Sequence, residues 1–220
     1  MAAQIDPEIV LYDLACTKNV CFSPTVWRIR LMLNYKKIPY RTVFLEFPDI
    51  EPTLKGLGLV LGGSASKYTV PAIHHVPTNT YMMDSTPIAQ FLESTYPDPP
   101  VPLTSELGRE IESKARVVVG MAFRTSVMPR EMGILSPRAQ EYFRRTREAA
   151  FGHPLEDLLD PGKEDQAWIA VSDSMRLVGE LILTHKSTRV VHEEVFQRIT
   201  KYPGYREVYE ACLPYMVKKD

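Results

Sequence analysis

Hydrophobic and polar positions along the first hundred residues fall into short blocks of changing period. Residues 8–14 (EIVLYDL) form an apolar run of strand character. Residues 25–37 then carry apolar side chains at Val26, Ile29, Leu31 and Leu33, a helical spacing, and residues 40–45 (YRTVFL) read as a second strand, which makes a βαβ unit. A short helix near 49–57 and a Gly/Ser loop at 62–66 follow. After them come a strand at 72–75, a turn at Pro77-Thr78-Asn79, a strand at 80–83 and a helix at 85–95. His74 and His75 are adjacent on the predicted strand, so they point to opposite faces of its sheet.

The order βαβαββα is that of a thioredoxin-like domain, placed at residues 1–96. The stretch Tyr96-Pro97-Asp98-Pro99-Pro100-Val101-Pro102 has four prolines in seven residues, too many for a helix or a central strand, and residues 97–105 are read as a linker. From Glu106 onward apolar residues recur at helical spacing and strand signals are scarce. The prediction for 106–220 is an all-α domain, so the fold class is an α/β domain followed by a helical one.

Composition narrows the function classes. The 220 residues are 45% hydrophobic, enough for one large core or two modest ones, and 26 basic against 27 acidic residues leave a formal net charge of −1. This balance gives no electrostatic reason to expect a nucleic acid or an anionic membrane as partner. Apolar stretches such as 29–33 and 117–123 are short or broken by Arg30 and Gly120, so none is predicted to span a bilayer. Residues 1–8 carry Asp6 and Glu8 and lack a basic and then apolar leader, so a cytoplasmic location is expected. Cys16, Cys21 and Cys212 make an odd count without a C-x-x-C pair, and the five histidines show no H-x-x-x-H spacing. Neither a disulfide framework nor a metal is predicted.

Three short pieces carry the candidate chemistry. Ser23-Pro24 opens the first helix, and this pair is by itself an ordinary start, serine being a preferred N-cap and proline a preferred first residue. In thioredoxin-like redox domains an attacking cysteine occupies this place; a serine cannot exchange disulfides, but it can donate a hydrogen bond to a thiolate brought by another molecule, aided by the helix N-terminus. Val70-Pro71 precedes a strand. Proline is tolerated there in any sheet, yet in thioredoxin-like folds it is cis, and the residue before it keeps a backbone N–H and C=O with which an extended peptide can pair. Asp84-Ser85 is most simply a helix cap, and the same helix N-terminus can take a carboxylate. Together the three suggest a site for glutathione.

The segments SPTVWRIRLMLNYKKIPYRTVFLEFPDIEPTLK, YTVPAI and MDSTPIAQFLESTYP resemble cytosolic glutathione transferases, in particular a fungal serine-type group related to β-etherases that carries S-P-x-x-W-x-x-R at the first helix. The resemblance covers nearly all of residues 8–97. It implies Ser23 as thiolate stabiliser, Val70 as backbone partner of the cysteinyl moiety, Pro71 as the cis-proline, and Asp84 with Ser85 as the γ-glutamyl site. Lys67 is a weaker candidate for the glycine carboxylate, chosen on charge and on its place beside the Gly/Ser loop. The family also implies a homodimer, with Tyr81 and Phe91 as aromatic surface candidates that could equally be core. One departure stands out: the Gly-Asp and S-x-A-D opening of a buried helix in the second domain has no counterpart between Thr184 and Val195. A stretch missing from the chain there is the favoured explanation, because 180–183 run into 192–199 with little room for that helix.

The resemblance implies an enzyme that holds glutathione as thiolate for attack on a hydrophobic electrophile, in fungal relatives an intermediate of secondary metabolism. Conjugation, cleavage of a thioether or ether, and glutathione-assisted cis/trans isomerisation are all open outcomes. The electrophile is expected against the loop 16–22 and helices bearing Met121, Phe123, Met128, Met132 and Phe143, residues that at helical spacing are more often core. A non-catalytic binding or regulatory protein of the same fold is the alternative. A third reading, with Cys21 as the active thiol, ranks below both because Cys21 lies off the helix start.

Overall fold

The computed structural model describes residues 6–61, 67–183, 206, 210 and 213–215. The chain forms two compact units, Met1–Leu103 with Tyr215–Asp220, and Thr104–Pro214, so the division falls one residue past the proline-rich stretch. Tyr215, near the end of the sequence, groups with the first unit, where its ring meets Tyr35 edge-on and its carbonyl accepts from the Asn34 amide.

The first unit is built on a four-stranded sheet of order β2-β1-β3-β4, made of β1 (Ile9–Leu14), β2 (Tyr40–Leu45), β3 (Ala72–His75) and β4 (Thr80–Met83). β1 runs parallel to β2 and antiparallel to β3, and β3 is antiparallel to β4. Side-chain alternation sorts β1 between two cores. Ile9 and Leu11 pack with Val26, Ile29, Met32 and Leu33 of α1 (Pro24–Tyr35) and with Ile88 and Leu92 of α3 (Ser85–Thr95). Val10, Tyr12 and Leu14 pack on the other face with Ile50 and Leu54 of α2 (Ile50–Gly56).

The buried stripe of α1 differs from the expected one. Positions 26, 29, 30 and 33 follow the 3.6 period, so Arg30 takes a slot in the stripe and Leu31 is only half-buried. β1 also starts one residue later than predicted, α1 ends two residues earlier at Tyr35, and a 3₁₀ turn (Phe47–Asp49) precedes α2.

One end of the sheet is closed by polar ties. The fully buried Lys36 ammonium sits 2.6 Å from the Tyr96 carbonyl, 2.7 Å from that of Pro99 and 2.7 Å from the Glu93 carboxylate. His75 Nε2 lies 3.0 Å from the Tyr96 hydroxyl, which donates to Glu8 Oε2 at 2.5 Å, and His75 Nδ1 lies 2.6 Å from Thr78 Oγ1. His74, on the opposite face, stacks on Tyr81 at 4.1 Å.

The second unit is helical: α4 (Glu106–Ala122), a π-helical turn (Phe123–Val127), α5 (Met128–Glu131), α6 (Pro137–Phe151) and α7 (Pro161–Leu183). Ser136 caps α6 by accepting from the Ala139 N–H at 3.2 Å, and Gly152, at φ +75°, ends it. Buried Ser126, on the π-helical turn, donates to Glu164 at 2.5 Å and accepts from Trp168 Nε1 at 2.8 Å, while Arg130 clamps both Glu164 oxygens. No helix among the described residues is long and apolar enough to cross a membrane.

Burial pulls the His75 pKa below its ordinary value, with Glu8 opposing, so the folded ring stays neutral where the unfolded one takes up a proton, near pH 6.5. A depressed histidine pKa removes stability as pH falls through that value. Urea midpoints measured at pH 7.5 and 5.5 should therefore drop on acidification, and drop less in His75→Gln.

Candidate functional site

The register that closes one end of the sheet brings the three sequence motifs to the other. Tyr12 pairs with Ala72 and Ala72 with Met83, so the ends of β1 and β4 and the start of β3 lie side by side. The loop after β1 leads into α1, whose first turn begins at that end. Val70 packs against both cores of the unit, the one containing Cys21 and the one flanked by Phe22.

Ser23 occupies the N-cap position of α1 with extended backbone, yet its side chain does not bond a helix N–H. Its hydroxyl lies 3.0 Å from Thr25 Oγ1 instead. Pro24 brings no N–H, which leaves those of Thr25 and Val26 as the open donors of the first turn among the described residues. The helix is held in place by residues spaced along one face. Trp27 Nε1 donates to the Cys21 carbonyl at 3.0 Å, and Arg30 Nε donates to Asp13 Oδ2 at 3.1 Å. The spacing S-P-x-x-W-x-x-R thus has a local meaning: positions 27 and 30 fasten the loop and the strand to the helix that Ser23 opens.

Cys21 is buried, its sulfur directed at the Ser23 carbonyl at 3.9 Å. Burial pushes its thiol pKa far up, and the neighbouring Asp13 carboxylate adds to this against the opposing pull of Arg30. Burial likewise raises the Asp13 pKa, while its bonds to Cys21 and Arg30 act the other way.

The Val70–Pro71 peptide bond is cis, and Pro71 is buried. Val70 lies just outside the strand ladder, and among the described residues its amide and carbonyl have no hydrogen-bond partner. Asp84 adopts φ +73°, a conformation costly for a residue with a side chain, on the order of 1–3 kcal/mol. Two bonds fix it there: its N–H donates to the Pro71 carbonyl at 3.1 Å, and its carboxylate accepts from Thr69 Oγ1 at 3.0 Å. Because the Asp84 side chain does not cap α3 and Pro87 has no N–H, the amides of Ser85 and Thr86 open the helix without a partner among the described residues. The Ser85 hydroxyl has no partner among the described residues. Lys67 is exposed.

Other expected positions resolve differently. Phe143 is wholly buried and its ring is covered by Arg147, so it belongs to the core and cannot wall a pocket. Met128 and Met132 are half-buried; the side chains of Met121 and Phe123, and the departure at 184–195, lie outside the described residues. Phe91 packs on the first core and edge-on to His75 at 5.0 Å, and Tyr81 is half-buried under its stack with His74. No cluster of three or more His, Cys, Asp or Glu able to hold a metal occurs among the described residues. Sequence reasoning missed Thr25, Asp13, Arg30 and Thr86. Only Arg30 carried a signal, a charge falling on the apolar stripe.

Residues 22–95 match the model of the glutathione S-transferase N-terminal domain, and residues 111–194 match that of the C-terminal domain. The chain belongs to the glutathione S-transferase family. Among proteins similar to this chain is the glutathione S-transferase-like protein ustS of Aspergillus flavus, 36% identical over 172 residues, which are 74% of this chain and 62% of that protein. The chain therefore spans less than two thirds of that relative's length. A glutathione S-transferase of Ceriporiopsis subvermispora, solved in complex with glutathione, superposes with a TM-score of 0.74 at 27% identity over 96% of this chain and 99% of its own. A second transferase of that fungus, also with glutathione, gives 0.73 at 25% identity, covering 95% and 98%.

The buried, Asp13-facing Cys21 should behave as an inert thiol. At pH 8 iodoacetamide should modify it far more slowly in the folded protein than in urea, as read by peptide mass mapping; equal rates would return Cys21 to the list of nucleophiles.

Proposed function

We propose that this chain is a glutathione-dependent transferase that holds the tripeptide at the end of its sheet and presents the sulfur, as thiolate, to a hydrophobic electrophile. The observation that carries the reading is the Val70 backbone, unpaired among the described residues, together with two helix N-termini of the same unit whose first amides are open among those residues. The cysteinyl part of glutathione pairs with the Val70 N–H and C=O as a short added strand. Its γ-glutamyl carboxylate lies on the Ser85 and Thr86 amides and the Ser85 hydroxyl, where a helix N-terminus favours an anion. Asp84, an acceptor when ionised, faces the γ-glutamyl ammonium. The solved relatives bound to glutathione support the choice of ligand.

The reaction begins when the thiol releases its proton to solvent and Ser23 donates a hydrogen bond to the sulfur left behind. The thiolate then attacks an electrophilic carbon, forming a C–S bond. With a leaving group the product is a conjugate. With an unsaturated carbonyl compound, addition converts the double bond into a rotatable single bond, and elimination can return the other geometry with glutathione regenerated. The acceptor is proposed to be an intermediate of fungal secondary metabolism, in line with the fungal source of the relatives.

Ser23→Ala should raise the pKa of bound glutathione and lower turnover about tenfold or more with little change in affinity, since a hydrogen bond to a charged group is worth roughly 1.5–3 kcal/mol. Titrating the thiolate absorbance of the bound tripeptide in both proteins checks this, and identical pKa values and rates would leave Ser23 a helix start only. Replacing Asp84 and Ser85 by alanine should instead weaken glutathione binding, by calorimetry, with Ser23 chemistry intact in what still binds. The protein is further proposed to be a homodimer. Sedimentation at micromolar concentration tests it, and a clean monomer refutes it.

A further inference from the structure

The hydroxyl proposed to act on sulfur is not alone. Ser23 Oγ and Thr25 Oγ1 lie 3.0 Å apart, a hydrogen bond in which either oxygen is a possible donor. Ser23 is 6% exposed, whereas Thr25 is exposed, and neither hydroxyl has a further partner among the described residues. Each hydroxyl owns one proton, and the bond between them consumes one. If Ser23 spends its proton on Thr25, it has none to offer a sulfur. If Thr25 donates to Ser23, the Ser23 proton is free, and its oxygen, already accepting a bond, is the stronger donor.

We infer that Thr25 is a positioning residue for the proposed reaction: it donates to Ser23 Oγ and so orients the Ser23 proton toward the thiolate. The inference rests on the assignment of Ser23 given above and adds to it a second residue that touches no substrate atom. An arriving anion selects this arrangement, because it attracts the Ser23 proton and leaves the Ser23 lone pair to Thr25. Position 25 is suited to the task. On the first turn of α1 it stands two residues from the N-cap, close enough to reach the Ser23 oxygen, and its own exposure lets the hydroxyl turn without breaking any other bond.

The test is a set of four variants, Thr25→Val, Thr25→Ser, Ser23→Ala and the Ser23→Ala/Thr25→Val double, each titrated for the thiolate absorbance of bound glutathione and assayed with a conjugation acceptor. Thr25→Val keeps the side-chain shape and removes the hydroxyl. It should raise the bound-thiol pKa by about 0.3–0.6 and lower kcat by about two- to fourfold, the size expected from losing one cooperative donor, with glutathione affinity unchanged. Thr25→Ser should restore both values, and in the Ser23→Ala background Thr25→Val should change neither. Thermal unfolding midpoints, expected to agree within the set, exclude a merely structural loss. A normal pKa in Thr25→Val overturns the inference, as does an equal further loss in the double variant, which would mean that Thr25 meets the sulfur directly. Wild-type protein that binds glutathione with an unshifted thiol overturns the Ser23 assignment as well, so the two failures are distinguishable.

Discussion

The ion pair between Asp13 and Arg30 is the constraint on which the geometry of the first unit depends. Both side chains are shut away from water, and removing two charges from solvent costs several kcal/mol per ion. The arrangement holds because the remaining polar atoms are served. Asp13 Oδ1 accepts from the Leu14 N–H at 2.6 Å, Arg30 Nη2 donates to Thr42 Oγ1 at 2.7 Å, and the guanidinium lies over the Tyr40 and Phe44 rings. An apolar stripe alone tolerates sliding between helix and sheet, since one aliphatic contact replaces another at small cost. A buried, hydrogen-bonded pair does not. Each residue of slip moves the helix about 1.5 Å, so the pair that joins the end of β1 to the second turn of α1 also sets where Ser23 stands relative to Val70.

The two ends of the sheet then divide their labour. At the end with Ile9, Tyr40 and His75, Lys36 has three acceptors and the His75 ring is bonded at both nitrogens. At the end with Leu14, Ala72 and Met83, the Val70 backbone and the first amides of α3 are left unmatched among the described residues. Native proteins pair nearly all of their buried backbone groups, with protein or with ordered water. Open groups gathered at one end, beside a non-glycine residue held at positive φ, are the features from which a ligand site is argued.

Much of this was legible in the chain. Residues 40–45, 72–75, 80–83 and 85–95 form the predicted elements because alternation, a Pro-Thr-Asn turn and a Ser-Thr-Pro helix start all agree there. Arg30 showed only as a charge on the apolar stripe and the last letter of the S-P-x-x-W-x-x-R spacing; its burial was not legible, because its partner lies seventeen positions away in another element. The positive φ of Asp84 was hidden for a related reason: Asp-Ser before a helix is an ordinary cap in sequence, and only the bonds to Pro71 and Thr69 impose the unusual backbone. Phe143 looked like a pocket wall because helical spacing reports that a residue faces inward, not whether a cavity or a core lies there.

The same charges explain why a serine rather than the nearby cysteine suits the proposed chemistry. Cys21 and Ser23 are two residues apart but stand in opposite fields. The thiol of Cys21 is packed toward Asp13, whose negative charge and dry surroundings both oppose a thiolate. Ser23 opens a helix whose first amides point outward, the positive end of the dipole, a setting that favours an anion brought from outside. A protein thiol at position 23 would itself ionise and exchange with any disulfide of the tripeptide, releasing one glutathione thiolate and keeping the other half as a mixed disulfide. A hydroxyl there cannot. The arrangement keeps the Cys21 sulfur protonated behind the helix start, so on the proposed reading the thiolate that reacts is the one that glutathione supplies.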